Sequence, residues 1–384
     1  MSASLSDLVA QHPVLICAGP GGVGKTTTAA GLGVVSARAG ARTLVATIDP
    51  APRLVDALGM ETLDATPRAL RADIARSLNI DPPELLQAAR LDPARVFAGI
   101  VEEAIDDEKV RQRIFSNPIY LQITNTLTGT QELAAMLALW ELNADENYDR
   151  IILDTPPASN ALDFFQSPVR ITAAVQSPVL RWVTAKKESF FSLKRLSSGG
   201  SALLSRLAGL VGNHFMEDLA VFLRDFEPVL PVFVERAAEV GDLFRQDYVA
   251  TILVTVAERP SIDETDRFAQ KLADMQIYPA ALVVNRVLTR PKLTDVDALQ
   301  RHLRVLPEAM RVPDETMNAG IEQLARAAKT LAEASDLQAD LCRILAETIP
   351  DSPVFQLPMQ AIDADGLSVL RRSADAIGAA LALD

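Results

Sequence analysis

Short, unbroken apolar runs alternate along this chain with longer segments of helical composition. Val14 to Ala18 is the first run and ends at Gly19. Lys25 to Ala39 then combines small residues with Leu32, Val34 and Val35 and stops at Gly40, a helix pattern. Thr43 to Ile48 is a second run, ended by Asp49-Pro50. Strands that read as continuous apolar runs are buried on both faces, so strand, helix, strand here predicts a parallel βαβ unit with a right-handed crossover. Arg150 to Leu153, ended by Asp154, is a third strand; Tyr248 to Val256, Ala280 to Val284 and Val354 to Leu357 are three more. A C-terminal helix follows from Gly366, and residues 53 to 147 read as mostly helical, with proline caps at Asp81-Pro82-Pro83 and Leu91-Asp92-Pro93. The fold class is α/β, a doubly wound, mostly parallel sheet.

Residues 168 to 246 break this rhythm. They hold no strand pattern, and Phe215, Leu219, Phe222, Phe226, Val229 and Phe233 are spaced 4, 3, 4, 3, 4, an apolar helical stripe. Pro228 and Pro231 are expected to kink or break that helix, and Ser197 to Ser201 form a flexible Gly/Ser turn. Two readings stay open for the stripe: ordinary core against neighbouring helices, or a groove for an apolar partner. The chain thus divides into residues 1–167, the first part of an α/β domain, a helical insertion at 168–246, and the second part of the domain at 247–384.

Composition narrows the classes. The 384 residues are 49% hydrophobic and 23% charged, so the chain is globular. Its net charge of −13 excludes a general nucleic-acid binder. Cys17 and Cys342 are far apart, which leaves no C-x-x-C knuckle and fits a reducing compartment. No segment reaches the ~18 uncharged apolar residues of a membrane span, and the N-terminus lacks the basic start and apolar run of a signal peptide. The expectation is a cytoplasmic protein with no stable membrane insertion. The three histidines, His12, His214 and His302, are scattered and carry no role, and Lys186-Lys187 with Lys194-Arg195 read as a solvated basic run.

The first loop carries the chemistry. Gly19-Pro20-Gly21-Gly22-Val23-Gly24-Lys25-Thr26 fits G-x-x-x-x-G-K-[ST], placed between a buried strand and a helix. In such a turn the glycines let backbone N–H groups close round phosphate oxygens, and the helix adds its positive end. Lys25 would neutralise outer phosphates and the Thr26 hydroxyl would bind Mg²⁺. Asp49 and Asp154 end the second and third strands, and carboxyl ends of parallel strands face the ligand crevice. One carboxylate can serve the Mg²⁺ shell and the other can orient an attacking water.

Gly21-Gly22-Val23-Gly24-Lys25-Thr26-Thr27, Asp49-Pro50-Ala51 and Asp154-Thr155-Pro156-Pro157 resemble the phosphate loop, switch I and switch II of the ArsA/Get3 family, deviant-Walker-A, MinD-type P-loop ATPases of the SIMIBI type. Glu258 with Glu264-Thr265-Asp266-Arg267, Val284-Asn285-Arg286, and Leu357-Pro358-Met359 with Gly366 resemble further elements of that family. The resemblance implies ATP and Mg²⁺ as cofactors and a nucleotide-sandwich dimer. It implies Asp49 orienting water, Gly21 to Thr27 on phosphates and Mg²⁺, Asp154 in the outer Mg²⁺ shell, and Asn285, Arg286 and Pro358 at the adenine. It also implies that dimer closure rearranges the insert, which in Get3 receives a hydrophobic client helix for membrane-protein targeting.

Three departures matter. The family's signature lysine falls at Pro20, which has no charge and no N–H. A homodimer would then turn over slowly, and a lysine-bearing paralogue could complete a heterodimer. The arsenite pump's cysteine cluster and the eukaryotic factors' zinc-binding cysteine pair are absent, and the insert is Phe-rich with Met216 its only methionine. The rival readings are a nucleotide-binding regulatory subunit with little turnover and a ParA/MinD-like positioning ATPase. A MinD-like protein needs a basic amphipathic C-terminal helix for anionic lipid, whereas Leu367 to Asp384 carries Arg371 and Arg372 beside Asp375 and Asp384, and is expected to dock on the sheet.

Overall fold

The computed structural model describes residues 4–49, 51–126, 130–144, 146–155, 165, 213–291, 314–360 and 366–382. Its strands are β1 (Val14–Ala18), β2 (Thr43–Thr47), β3 (Arg68–Ala69), β4 (Leu86–Arg90), β5 (Arg150–Asp154), β6 (Val249–Val256), β7 (Ala281–Val287) and β8 (Val354–Pro358). They form one sheet in the order β3-β4-β2-β5-β1-β6-β7-β8, in which β3 pairs antiparallel on β4 and the other neighbours run parallel. Strands from both sides of the insertion therefore share the sheet. From β1 the chain moves to β2 on one side and later returns to add β6 on the other, so β1 is the switch point, where ligands of open α/β sheets bind.

Both faces are covered, as the apolar runs require. In β1, Val14, Ile16 and Ala18 belong to one apolar cluster and Leu15 and Cys17 to the other. The first cluster lies under α5 (Pro93–Ala104), α6 (Glu108–Ser116), α7 (Pro118–Thr126), α8 (Thr130–Ala144), α9 (Asn213–Phe226), α10 (Val229–Leu243), α11 (Arg259–Asp274) and α12 (Asp314–Thr348). The second lies under α1 (Leu5–Gln11), α2 (Lys25–Arg38), α3 (Arg53–Leu58), α4 (Ala72–Ser77) and α13 (Gly366–Ala379).

Residues 53 to 147 are mostly helical, as expected, but the sequence reading missed β3 and β4, which also lie among them. Leu86-Gln87-Ala88-Ala89-Arg90 has no β-branched residue and a helix-like composition. It is a strand because β2 offers a free parallel edge, with Thr43 opposite Leu86 and Thr47 opposite Arg90.

The described part of residues 168–246 is helical. α9 ends at Phe226 and α10 begins at Val229 with Pro231 in its first turn, so the prolines break the stripe into two helices as their chemistry demands. Phe222, Val229 and Phe233 are buried in the first cluster, and Phe233 stacks on Phe97 of α5 with ring centroids 5.6 Å apart. This part of the stripe is core. The side chains of Phe215 and Leu219 lie outside the described residues, as do the Ser197–Ser201 turn, the basic run and His302. Asp225, buried on α9, pairs with Arg113 of α6 at 2.7 Å and with Arg224 at 3.0 Å.

The C-terminal helix docks. Leu370, Ala374 and Ile377 of α13 are buried with α2 and α3, and beyond the helix Leu381 and Ala382 bridge to Ser4 and Phe355. Among the described residues no helix is long and apolar enough to cross a membrane. Cys17 and Cys342 are both free and buried.

Candidate functional site at the phosphate loop

Residues Gly19 to Gly24 leave β1 and turn directly into α2. Gly24 caps that helix at φ 96°, with no side-chain cap on the first amides. Left-handed backbone and crowding both require glycine here, since a Cβ at Gly24 would lie 2.3 Å from Asn285 Nδ2. At Gly19, φ 145°, a Cβ would lie 2.1 Å from the Val254 carbonyl oxygen of β6. The loop is thus pressed against the sheet, and the positive end of α2 opens onto the strand ends.

The side chains converge. Lys25 is buried, and its Nζ donates to the carbonyl oxygens of Gly19 at 3.1 Å and Pro20 at 2.8 Å. Burial pushes the Lys25 ammonium below its ordinary pKa; the Asp154 charge opposes this, and Arg53 adds to it. Thr26 Oγ1 donates to Asp154 Oδ2 at 2.7 Å. Thr47, at the end of β2, donates to the same oxygen at 3.3 Å and accepts from the Asp49 N–H at 3.2 Å. Asp49 Oδ1 accepts from the Ala51 N–H at 2.9 Å, and its Oδ2 lies 3.2 Å from Arg53 Nη1.

Asp154 is the most constrained group. It is 1% exposed, and its Oδ1 has no hydrogen-bond partner among the described residues. Burial raises its pKa from 3.8 to about 6, against the lowering effects of Thr26, Lys25 and Thr47. A buried carboxylate with an empty lone-pair face and a hydroxyl alongside is a donor set for a hard cation, so Mg²⁺ fits these residues. The loop's glycine-rich backbone and Lys25 likewise fit a polyphosphate.

On the other side of the loop, Asn285 ends the pairing of β7 with β6. Its Nδ2 donates to the Val23 carbonyl at 2.9 Å and its Oδ1 accepts from the Arg286 N–H at 2.9 Å. It is tied to the loop itself, so a base at this position would compete with those bonds. Arg286 is exposed at φ 58°, and Pro358, exposed at the end of β8, pairs with Val287. The structure therefore gathers Gly21, Gly22, Val23, Gly24, Lys25, Thr26, Thr27, Asp49, Asp154 and Asn285 around the loop, with Pro358 farther along the same edge. Pro50, Pro156 and Pro157 lie outside the described residues. Sequence reading missed Thr47 and Arg53. A threonine closing an apolar strand just before an aspartate was a usable sign for Thr47; an arginine opening a short helix carried none.

A glycine-rich loop at the switch point of a doubly wound parallel sheet, closing into a helix with lysine and threonine in its first turn, defines a P-loop nucleotide-binding protein. The family model described as anion-transporting ATPase matches residues 12–310. The chain belongs to this family and is an ATPase of the ArsA/Get3 type. It is similar to an ATPase get3 of Schizosaccharomyces japonicus, 24% identical over 299 residues, covering 76% of this chain and 80% of that protein. It is also similar to an ATPase GET3 of Malassezia globosa, 26% identical over 278 residues, covering 72% and 73%. An ATPase ASNA1 homolog 1 of Paramecium tetraurelia is 22% identical over 272 residues, covering 70% and 73%.

Proposed function

We propose that this chain binds Mg-ATP at the Gly19–Thr27 loop and hydrolyses it to ADP and phosphate, working as a cytoplasmic dimer, either a homodimer or a heterodimer with a paralogue. The observation that carries this reading is the Thr26 hydroxyl on the buried, half-unpartnered Asp154 carboxylate. When bound, Mg-ATP supplies the scissile phosphoanhydride bond and a cation that draws charge from it.

The chain's own residues do the rest. Backbone amides of Gly21, Gly22, Val23 and Gly24 cradle phosphate oxygens, with Lys25, Thr26 and Thr27 following. Lys25, whose Nζ donates to the Gly19 and Pro20 carbonyls, must leave them to reach the phosphates. Thr26 and Asp154 would hold the cation, which would draw negative charge from the phosphates. Asp49 orients a water for in-line attack and accepts its hydrogen bond, while Asn285, Arg286 and Pro358 receive the adenine. Residues 1–167 and 247–384 form the ATPase unit, and 168–246 is the insertion that answers its nucleotide state. Because Phe222 and Phe233 are core, any surface for a hydrophobic client helix is built from other residues of that insertion.

A second reading, a regulatory subunit with low turnover, is favoured by Pro20. Position 20 is buried, and its proline ring brings no charge to the site. Steady-state phosphate release from Mg-ATP by the purified chain, with Asp49→Asn as control, separates the two. Turnover that disappears in Asp49→Asn while nucleotide binding persists supports the ATPase. ATP binding without turnover supports the regulator, and absence of ATP binding would sink both.

A further inference from the structure

We propose that Arg53 is a second phosphate-binding cation of this site, held on Asp49 until the outermost phosphate of a nucleoside triphosphate takes it over. The inference rests on the nucleotide reading given above.

The placement follows from strand order. Asn285 and Pro358 lie on the β7–β8 side of the loop, while Asp49 and Arg53 follow β2 on the opposite side, beyond β5. A nucleotide with its base toward β7 and β8 and its phosphates along the loop points its terminal phosphate toward β5 and β2. Arg53 stands there as the first residue of α3, four residues after Asp49. It is close enough to Lys25 for the two positive charges to act on one another.

Its present partner is replaceable. The Arg53 side chain is 59% exposed, Asp49 only 15%, and Nη1 lies 3.2 Å from Oδ2. An exposed ion pair of this kind contributes little. A terminal phosphate carries more charge than a carboxylate and matches the planar guanidinium fork. The exchange has a second consequence: once Arg53 moves to phosphate, Asp49 Oδ2 loses its partner and can accept a hydrogen bond from water. One side chain would then link arrival of a third phosphate to release of the water-orienting carboxylate. It would also place a mobile cation where Pro20 supplies none.

The test is equilibrium binding of Mg-ATP and Mg-ADP to the full chain, wild type beside Arg53→Ala and Arg53→Lys, with a denaturant melt of each. A charge-assisted contact made only by the outer phosphate predicts that Arg53→Ala weakens ATP about tenfold or more. ADP affinity and the melt should stay at wild-type values, and Arg53→Lys should recover part of the ATP affinity. Equal loss for ATP and ADP, or no loss for either, would overturn the assignment. Wild-type protein that binds neither nucleotide would remove the nucleotide reading itself, a failure visible before any variant is made.

Discussion

Replacing Asp154 by asparagine should change how stability depends on pH, and the size of the change follows from burial. Asp154 has a raised pKa of about 6 in the folded protein against an ordinary 3.8. Below about pH 4 the carboxyl is protonated in both folded and unfolded chains and is neutral to the balance. Between about pH 4 and pH 6 the folded chain keeps a proton that the unfolded chain has lost, so raising the pH through this window lowers stability. Above it both states are ionised and the whole cost of the buried charge is present. A displacement of about two pH units is worth ~3 kcal/mol. The substituted amide carries no charge, so the variant's stability should lack this slope. It also leaves an NH₂ group where Oδ1 has no partner, a constant penalty of ~1–3 kcal/mol that does not vary with pH. The informative quantity is therefore the difference between the two curves. Urea unfolding in chelator, without nucleotide, should show Asp154→Asn gaining ~2 kcal/mol on wild type between about pH 4.5 and pH 7.5. Parallel curves would refute the reasoning, since they would mean that Asp154 is solvated or already paired in the folded protein.

Gly24→Ala should destabilise by ~1–3 kcal/mol, because it sets a side chain at φ 96° against Asn285 and strains the loop; a urea melt and a nucleotide titration should both register it. Phe233→Ala should cost ~3–5 kcal/mol by the same melt, since the ring is buried against Phe97; a near-neutral result would reopen the groove reading for this part of the stripe. Thr26→Ala removes a hydrogen bond that favours the ionised Asp154, so the pH window of the wild-type curve should move upward, as read from the same unfolding series. Neither Cys17 nor Cys342 should react with a thiol reagent in the native state, because burial raises both thiols well above neutral pH; both should react in urea.

How much of this was legible beforehand depends on what each residue's role rests on. Glycine spacing, Lys25 and Thr26 are a local requirement, because a phosphate cradle needs that backbone whatever surrounds it, so the loop could be read from eight consecutive letters. Strands β1, β2, β5, β6, β7 and β8 were readable because burial on two faces leaves only apolar residues to use. The break at Pro228 and Pro231 was readable because proline acts on its own helix.

The rest needed three dimensions. Leu86 to Arg90 became a strand through an edge that β2 provides, a long-range pairing with no trace in its own composition. Whether the Phe stripe was core or groove turned on what stood opposite it, and Phe97 and the packed helices α5 to α8 settled that for Phe222, Val229 and Phe233. Asp154 could be placed at a strand end from sequence, but its unpartnered oxygen, its burial and its bond to Thr26 exist only because residues 128 positions apart meet. Asn285 meets Val23 across 262 residues in the same way. Most of the elements and the chemistry of the loop are thus written in the order of the residues, since they follow from local backbone and apolar rules. Which charges face one another is a property of the folded chain, since electrostatic partnership depends on distance in space and on the water excluded between the groups.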